Sequence, residues 1–345
     1  MCALLCVIFS SNFNNMFQVT LKNGKSFSCE TNNTIFEGAR KNGIFLEHSC
    51  LSARCRSCAV QIESGTVTEK YDDLVLSKEE KLNQWVLSCN AIPTSNVILD
   101  IEDLGGIQLF EKKIIPSKVQ SIVKLSENVI EVSLRLPPNS NFEYNSGQYV
   151  NIINGEIKRS YSIANAFEQN ALLTFYIKKY DNGLMSNYWF EEAKVNDLLR
   201  IEGPLGSFFV RKNDQENIIF LATGTGVAPI KAILENLSKS EDQFRNKKLW
   251  LFVGARNEND LFWNPSKLRN IDDINYIPVL SRASSEWKGE SGYIQDIVIK
   301  HCISLVNSHV YACGSKVMIE SAKKLLIGNG LNKTHFFSDA FVQSN

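Results

Sequence analysis

Apolar and polar positions alternate near the start of the chain. Phe17, Val19 and Leu21 share one face, Lys22-Asn23-Gly24-Lys25 interrupts them, and Phe27 and Cys29 resume the pattern. Asn-Gly between two such runs predicts a β-hairpin. Thr34-Ile-Phe-Glu37 has the form of a capping box, so a helix is predicted there, running through residues 39–42 and stopped by Gly43. A cysteine-rich loop at 48–58 and a strand at 59–62 follow, and residues 97–101 read as the strand that closes this part. From 118 to 208 the chain is mostly short β runs separated by turns, the clearest at 119–123, 129–136, 149–153 and 172–178, which predicts a small antiparallel barrel. After Asn217 the pattern changes. Apolar strands at 218–223, 249–253, 276–280 and 310–312 alternate with helical stretches such as 230–237 and 317–327, the signature of a parallel α/β sheet.

A length of 345 residues suits two or three domains. The predicted division is an extension at 1–15, a first domain at 16–106, a linker around Gly105-Gly106 that continues over 107–115, a barrel at 116–212, and an α/β domain at 213–345. Residues 1–15 are apolar but short, and Met16 directly precedes the first strand-like run. They read as an extension or a misassigned start, with a membrane-tethering leader as the alternative. A formal net charge of +0 gives no reason to expect nucleic acid or an anionic membrane as partner, and no apolar run is long enough to span a bilayer. The expectation is a cytoplasmic protein.

The nine cysteines sharpen this picture. An odd count argues against a disulfide framework. Four of them follow a spacing: Cys50, Cys55 and Cys58 form C-x4-C-x2-C, and Cys89 lies far downstream. That is the ligand spacing of a plant-type [2Fe-2S] cluster. Three thiolates wrap the cluster from one loop, and a fourth closes the cage from another segment. A zinc site would more often show two close pairs; it and unligated core cysteines are the alternatives. Plant-type loops commonly carry small residues where this chain has Ala53 and Arg56. Together with Arg54, Arg56 either raises the cluster potential or docks an acidic partner, or both arginines simply point into solvent.

Within the barrel, Arg159-Ser160-Tyr161-Ser162 resembles the flavin motif of the ferredoxin–NADP reductase superfamily. The resemblance implies that Arg159 pairs with the FAD diphosphate, Tyr161 lies against the flavin ring, and Ser162 reaches its redox nitrogen. Gly183-Leu-Met185-Ser186 resembles the superfamily's second phosphate loop, and residues 202–208 its barrel-closing turn. Gly224-Thr225-Gly226-Val-Ala-Pro229 lies between a buried strand and a helix, where glycines permit close phosphate approach and the proline suits a first helical turn. Cys313-Gly314-Ser315 ends another strand. By the resemblance, Cys313 places the nicotinamide for hydride transfer; the alternative is a small core residue. Arg256 and Arg282 end the intervening strands, where either could meet a 2′-phosphate or be solvated, so the choice of NADH or NADPH stays open.

The order of parts resembles that of FAD-type oxygenase reductases and their relatives. Within that group the segments 133–138, 147–149, 159–165, 200–204, 311–315 and 336–341 are most similar to reductases that serve CDP-6-deoxy-4-hexulose 3-dehydrases. The resemblance implies a fold of three parts: a β-grasp-like [2Fe-2S] ferredoxin domain, an antiparallel β-barrel for FAD, and an α/β parallel-sheet domain for NAD(P)H. It also implies an electron acceptor, a pyridoxamine-phosphate-dependent sugar-nucleotide dehydrase, in C-3 deoxygenation of a CDP-6-deoxy-4-hexulose on the route to a surface polysaccharide. Phe341 would then shield the flavin face, or be a plain core phenylalanine. Two other readings compete: the same electron chain serving an aromatic-ring oxygenase, and a cluster carrier or redox sensor without enzymatic activity.

Overall fold

The computed structural model describes residues 16–72, 75–211, 214–239, 246–268 and 274–340. The chain forms two compact units, divided after Gly106.

The first unit is built on a five-stranded sheet. Met16–Leu21 and Ser26–Glu30 form the predicted hairpin, with Val19 opposite Phe27. Met16–Leu21 also pairs in parallel with Val97–Leu99, which in turn pairs with Ala59–Ser64, and Trp85–Leu87 completes the order. The helix Ile35–Lys41 packs on this sheet, and both halves of the capping box are formed: Glu37 N–H donates to Thr34 Oγ1, and Thr34 N–H donates to the Glu37 carboxylate. Ile35 and Ala39 are fully buried with Val19, Leu21 and Leu99, so one helix covers the apolar face that alternation had created.

The second unit has two layers of different kinds. Its barrel is a six-stranded antiparallel sheet in the order Ile157–Ser162, Tyr149–Asn154, Leu198–Leu205, Lys113–Ser126, Val129–Arg135, Leu172–Lys178. A bridge from Ile163 to Phe175 joins the two outer strands and closes the sheet on itself. Val119, Val132, Leu134, Val150, Ile152, Phe175 and Ile201 fill the interior. The strand starting at Lys113 reaches back into the stretch read as linker, because Ile115 is drawn into this core opposite Ile201.

The remaining sheet is entirely parallel, in the order Glu290–Ser291, Ile274–Leu280, Lys248–Ala255, Asn217–Thr223, Ser308–Gly314, Phe336–Ala340. Helices Val227–Lys239, Ile294–Lys300 and Lys316–Gly328 are the connections. From Asn217–Thr223 the chain first adds strands on one side, then returns to add Ser308–Gly314 on the other. The order therefore reverses between these two neighbours, and a crevice at their carboxyl ends is the position where open α/β sheets bind ligands. Ile218, Ile219, Phe220, Leu221 and Ala222 are all fully buried, which explains the uninterrupted apolar run.

Candidate functional site: three cofactor-binding arrangements

The cysteines gather as two pairs. Cys58 Sγ lies 3.2 Å from Cys89 Sγ, and Cys50 N–H donates to Cys55 Sγ at 3.3 Å. Further amides converge on the first pair: Ser52 and Arg54 N–H both reach Cys50 Sγ at 3.4 Å. Hydrogen bonding from its partner thiol holds Cys50 down at about 5, while Cys55 is pushed up. Cys89 is likewise lowered by its bond from Cys58. Among the described residues no three such side chains converge as a single-ion site needs. Two pairs of cysteines supplied with amide donors fit the ligand set that a two-iron cluster would require instead.

Leu51, Ala53 and Arg56 all have positive φ, at 51°, 57° and 66°. Loops of this type favour small residues, often glycine, because left-handed backbone costs other residues roughly 1 kcal/mol each. Arg56 does not point into solvent. Its guanidinium forms an ion pair with Glu80 and donates to the Val75 carbonyl, while Arg54 is exposed. Sequence reasoning missed Glu80, although Ser77 and Glu80 carried a capping-box signal of their own.

In the barrel, Ile157–Ser162 pairs with Tyr149–Asn154, placing Ser162 opposite Tyr149 and Ser160 opposite Asn151. Arg159 is half-buried, with Nη1 donating to the Lys158 carbonyl at 2.9 Å. Tyr161 is half-buried, its phenol raised by burial, and Ser162 is buried. Gly183 opens the short helix Leu184–Asn187. Ser186 Oγ accepts from Tyr180 N–H at 2.7 Å, and the Met185 side chain lies in the barrel core. The first turn of that helix thus presents backbone, not the methionine side chain, to any ligand.

A charged network unnoticed in the sequence backs this strand. Glu202 is buried and gathers Lys112 at 3.0 Å, Lys158, and Asn151 Nδ2 at 2.8 Å. Asn151 in turn accepts from Ser160 Oγ at 2.7 Å. Partial burial opposes the charge on Glu202, but Lys158, Asn151 and Lys112 outweigh it and hold the carboxyl at about 2. The only sequence signal was a lone Glu ahead of Gly203-Pro204.

At the reversal of the parallel sheet, the two remaining motifs meet. Gly224–Gly226 follows Asn217–Thr223, and Cys313-Gly314 ends the adjacent strand. A Cβ on Gly226 would lie 2.3 Å from the Cys313 carbonyl oxygen, and one on Gly314 would lie 2.2 Å from Thr223 Oγ1. Only glycine permits this close packing of the turn against the strand end, whereas at Gly224 the space a Cβ would take is open, so the start of the helix is uncovered there. Thr225 and Pro229 are buried beside it. Cys313 is fully buried, and burial raises its thiol. Arg256 and Arg282 are both exposed at neighbouring strand ends, linked by Arg282 N–H donating to the Arg256 carbonyl at 3.0 Å. Phe341 lies outside the described residues.

Comparison with known proteins finds a family for each of the three parts. A 2Fe-2S iron-sulfur cluster binding domain matches residues 19–94, an oxidoreductase FAD-binding domain 116–210, and an oxidoreductase NAD-binding domain 220–324. The CDP-6-deoxy-L-threo-D-glycero-4-hexulose-3-dehydrase reductase of Yersinia pestis is 38% identical over 93% of this chain and 97% of its own length. The chain belongs to this reductase family. Protein RfbI of Salmonella typhimurium is 35% identical over 92% of this chain and 94% of its own. Among solved structures, an Amycolatopsis cytochrome P450 reductase covers 94% of the chain with a TM-score of 0.70 at 21% identity, which speaks for the fold alone. As a member of the reductase family, the chain is an NAD(P)H-dependent flavin and iron–sulfur oxidoreductase. No helix among the described residues is long and apolar enough to cross a membrane.

Proposed function

We propose that this chain carries electrons from NAD(P)H through FAD and a [2Fe-2S] cluster to a partner dehydrase in C-3 deoxygenation of a CDP-6-deoxy-4-hexulose. When bound, these groups supply a two-electron hydride donor, a carrier able to take both electrons, and a centre that passes them singly. In this reading Cys50 and Cys55 hold one iron and Cys58 and Cys89 the other. Arg159 binds the flavin diphosphate, helped by the first turn after Gly183, with Ser186 fixing that turn through Tyr180. Tyr161 offers its ring to the flavin and Ser162 its hydroxyl. Gly224, Thr225, Gly226 and Gly314 cradle the nicotinamide cofactor's phosphates, Pro229 starts the helix behind them, and Cys313 backs the nicotinamide. Arg256 and Arg282 stand where an adenosine 2′-phosphate would arrive.

The observation that carries this reading is the 38% identity running through all three cofactor-binding parts over 93% of the chain. By the resemblance, the partner is read as a pyridoxamine-phosphate-dependent enzyme, whose imine to the keto sugar would assist loss of the neighbouring hydroxyl. The test is anaerobic: purified chain, NADH or NADPH, and the dehydrase charged with its CDP-sugar. Formation of the 3-deoxy product only with all components supports the reading. Coenzyme oxidation by dyes, with no product from the charged dehydrase, would move the chain to another acceptor such as an oxygenase.

A further inference from the structure

The helix Val227–Lys239 leaves the Gly224–Gly226 turn and runs beside the segment that continues from Ser162. Three of its side chains, four residues apart, grip that segment at every second residue. Lys231 Nζ donates to the Ala164 carbonyl at 2.8 Å. Glu235 Oε2 accepts from Ala166 N–H at 2.9 Å. Lys239 Nζ pairs with Glu168 Oε1 at 2.6 Å. Lys231 and Glu235 are also bonded to each other. The spacing is commensurate: four helical residues advance about 6 Å, and two extended residues advance about 6.6 Å.

The gripped segment is itself fastened to the barrel. Ala164 N–H donates to the Thr174 carbonyl at 2.7 Å, and Asn165 Oδ1 accepts from Thr174 N–H at 2.8 Å. Tyr144 O–H donates to the Asn165 carbonyl at 3.1 Å. Lys231 and Glu235 side chains are only 14% and 24% exposed, so solvent screens the inner two contacts weakly, whereas the outer Lys239–Glu168 pair is open to water. Apolar packing of Ala164, Tyr176 and Phe208 in one cluster with Val227 and Ala228 also joins the two halves, but such packing has no direction and tolerates sliding. The polar contacts do not, because one needs a donor and the next an acceptor.

Resting on the proposed hydride transfer, we infer that Lys231 and Glu235 are positioning residues: a helix–strand zipper that fixes the register between the nicotinamide cradle and the flavin strand. Ser162 is two residues from the first grip, and Gly226 is five residues from Lys231. Hydride transfer demands donor and acceptor within about 3–3.5 Å, and a displacement of 1 Å can cost a hundredfold in rate. The zipper is a directional link that holds this distance.

The test uses the full chain loaded with FAD and cluster. Stopped-flow flavin reduction at saturating coenzyme is compared for Lys231→Met, Glu235→Gln and the exchange Lys231→Glu/Glu235→Lys, alongside FAD occupancy and NAD+ affinity. Lys231→Met is expected to slow reduction by roughly ten- to a hundredfold, with occupancy and affinity within about twofold of the parent. Glu235→Gln keeps an acceptor for Ala166 N–H and should fall between parent and Lys231→Met, which keeps the test alive if the other variants fold poorly. The exchange preserves an i,i+4 ion pair but presents an acceptor to a carbonyl and a donor to an N–H, so it should be as slow as Lys231→Met or slower. Recovery of the parent rate by the exchange, an unchanged rate in Lys231→Met, or a rate loss that merely tracks FAD loss would overturn the zipper. Failure of the parent chain to reduce its flavin would sink the proposed function instead.

Discussion

Arg56 and Glu80 meet in a two-pronged ion pair that fastens the cysteine loop to the segment 75–82. Besides the Nη2–Oε1 contact, Arg56 Nη1 lies 3.1 Å from Glu80 Oε2, and the same oxygen accepts from Ser77 N–H at 2.8 Å. Leu76, in that segment, is buried in a cluster with Ala53, Cys58 and Leu87. The arginine between Cys55 and Cys58 therefore acts as a latch, and its charge is matched locally.

Two consequences follow from the latch. Arg56→Gly relieves the left-handed strain but strands Glu80, so the segment should loosen and a chelator should remove iron several-fold faster. The uncompensated carboxylate should also lower the cluster potential, and Arg56→Gly/Glu80→Gln should bring it back. A single variant with the parent's potential and chelation rate would contradict the latch. The pH dependence has a definite sign. Partial burial raises the Glu80 carboxyl, but Arg56 and Ser77 outweigh it and hold it at about 2 against an ordinary 4.5. The pair's contribution is complete above pH 4.5 and drains away as pH falls toward 2. Glu80→Gln should flatten the acid unfolding curve of the first unit in that window.

Cys89 joins its pair from 31 residues beyond Cys58. In the proposed cluster its removal would leave one iron with a single thiolate, so Cys89→Ser should abolish or strongly destabilise the cluster. The barrel and parallel sheet have their own cores and should still support reduction of flavin by NADH. Loss of the iron–sulfur absorbance with flavin reduction intact is the expected result. Loss of both would contradict the separation into two units.

Local chemistry was legible in the sequence and long-range polar chemistry was not. Asn23-Gly24 marked the hairpin, Thr34 and Glu37 marked the helix start, and the run 218–222 marked a strand buried on both faces. Each depends on neighbours within a few positions. The cysteine spacing singled out Cys50, Cys55, Cys58 and Cys89 but could not say how they pair. Glu202 finds Lys112 at a separation of 90 residues, and Lys231 finds the Ala164 carbonyl at 67. No periodicity encodes such partners. Lys231, Glu235 and Lys239 stand at i, i+4 and i+8, a spacing that a solvated helix face shares, so nothing in it points to the segment they hold. Only the middle of the strand Lys113–Ser126 was read, at 119–123, because the adjacent Ile114 and Ile115 show no alternation and their strand character depends on the distant partner Leu198–Leu205.

Arg159 stands beside Lys158, whose ammonium is engaged by buried Glu202. With Lys158 held there, Arg159 is the cation left half-exposed on that strand to meet a diphosphate. Arg159→Ala should lower FAD retention at least tenfold through desalting, without shifting the unfolding of the first unit. Full flavin occupancy in the purified variant would refute the diphosphate role.

His309 is buried against His335, with ring centroids 4.4 Å apart, and Phe337 lies 5.2 Å away. The buried Nδ1 atoms of both histidines have no hydrogen-bond partner among the described residues. Burial first, then His335, Lys247 and Arg211, hold His309 down at about 3 against an ordinary 6.5. A depressed histidine stays neutral in the fold while the unfolded chain takes up a proton. Stability should thus be complete above pH 6.5 and fall steadily as pH drops toward 3. Thermal melts of the second unit between pH 7 and 4.5 should show this slope, and His309→Phe should reduce it. A variant with the parent's slope would assign the acid sensitivity elsewhere.

Cys313 sits at the carboxyl end of its strand with its carbonyl against Gly226, so its backbone packs on the turn proposed to receive the nicotinamide cofactor. Its thiol is fully buried in the apolar cluster and kept neutral by desolvation, which argues against a nucleophile. Cys313→Ala keeps the backbone and removes only the sulfur. It should slow flavin reduction while FAD occupancy stays at the parent level. Gly226→Ala supplies the contrast, because its Cβ would collide with the Cys313 carbonyl oxygen and coenzyme affinity itself should collapse. If Cys313→Ala reduces flavin at the parent rate and only its melting temperature falls, the sulfur is packing, and the cradle's work is done by glycine and backbone alone.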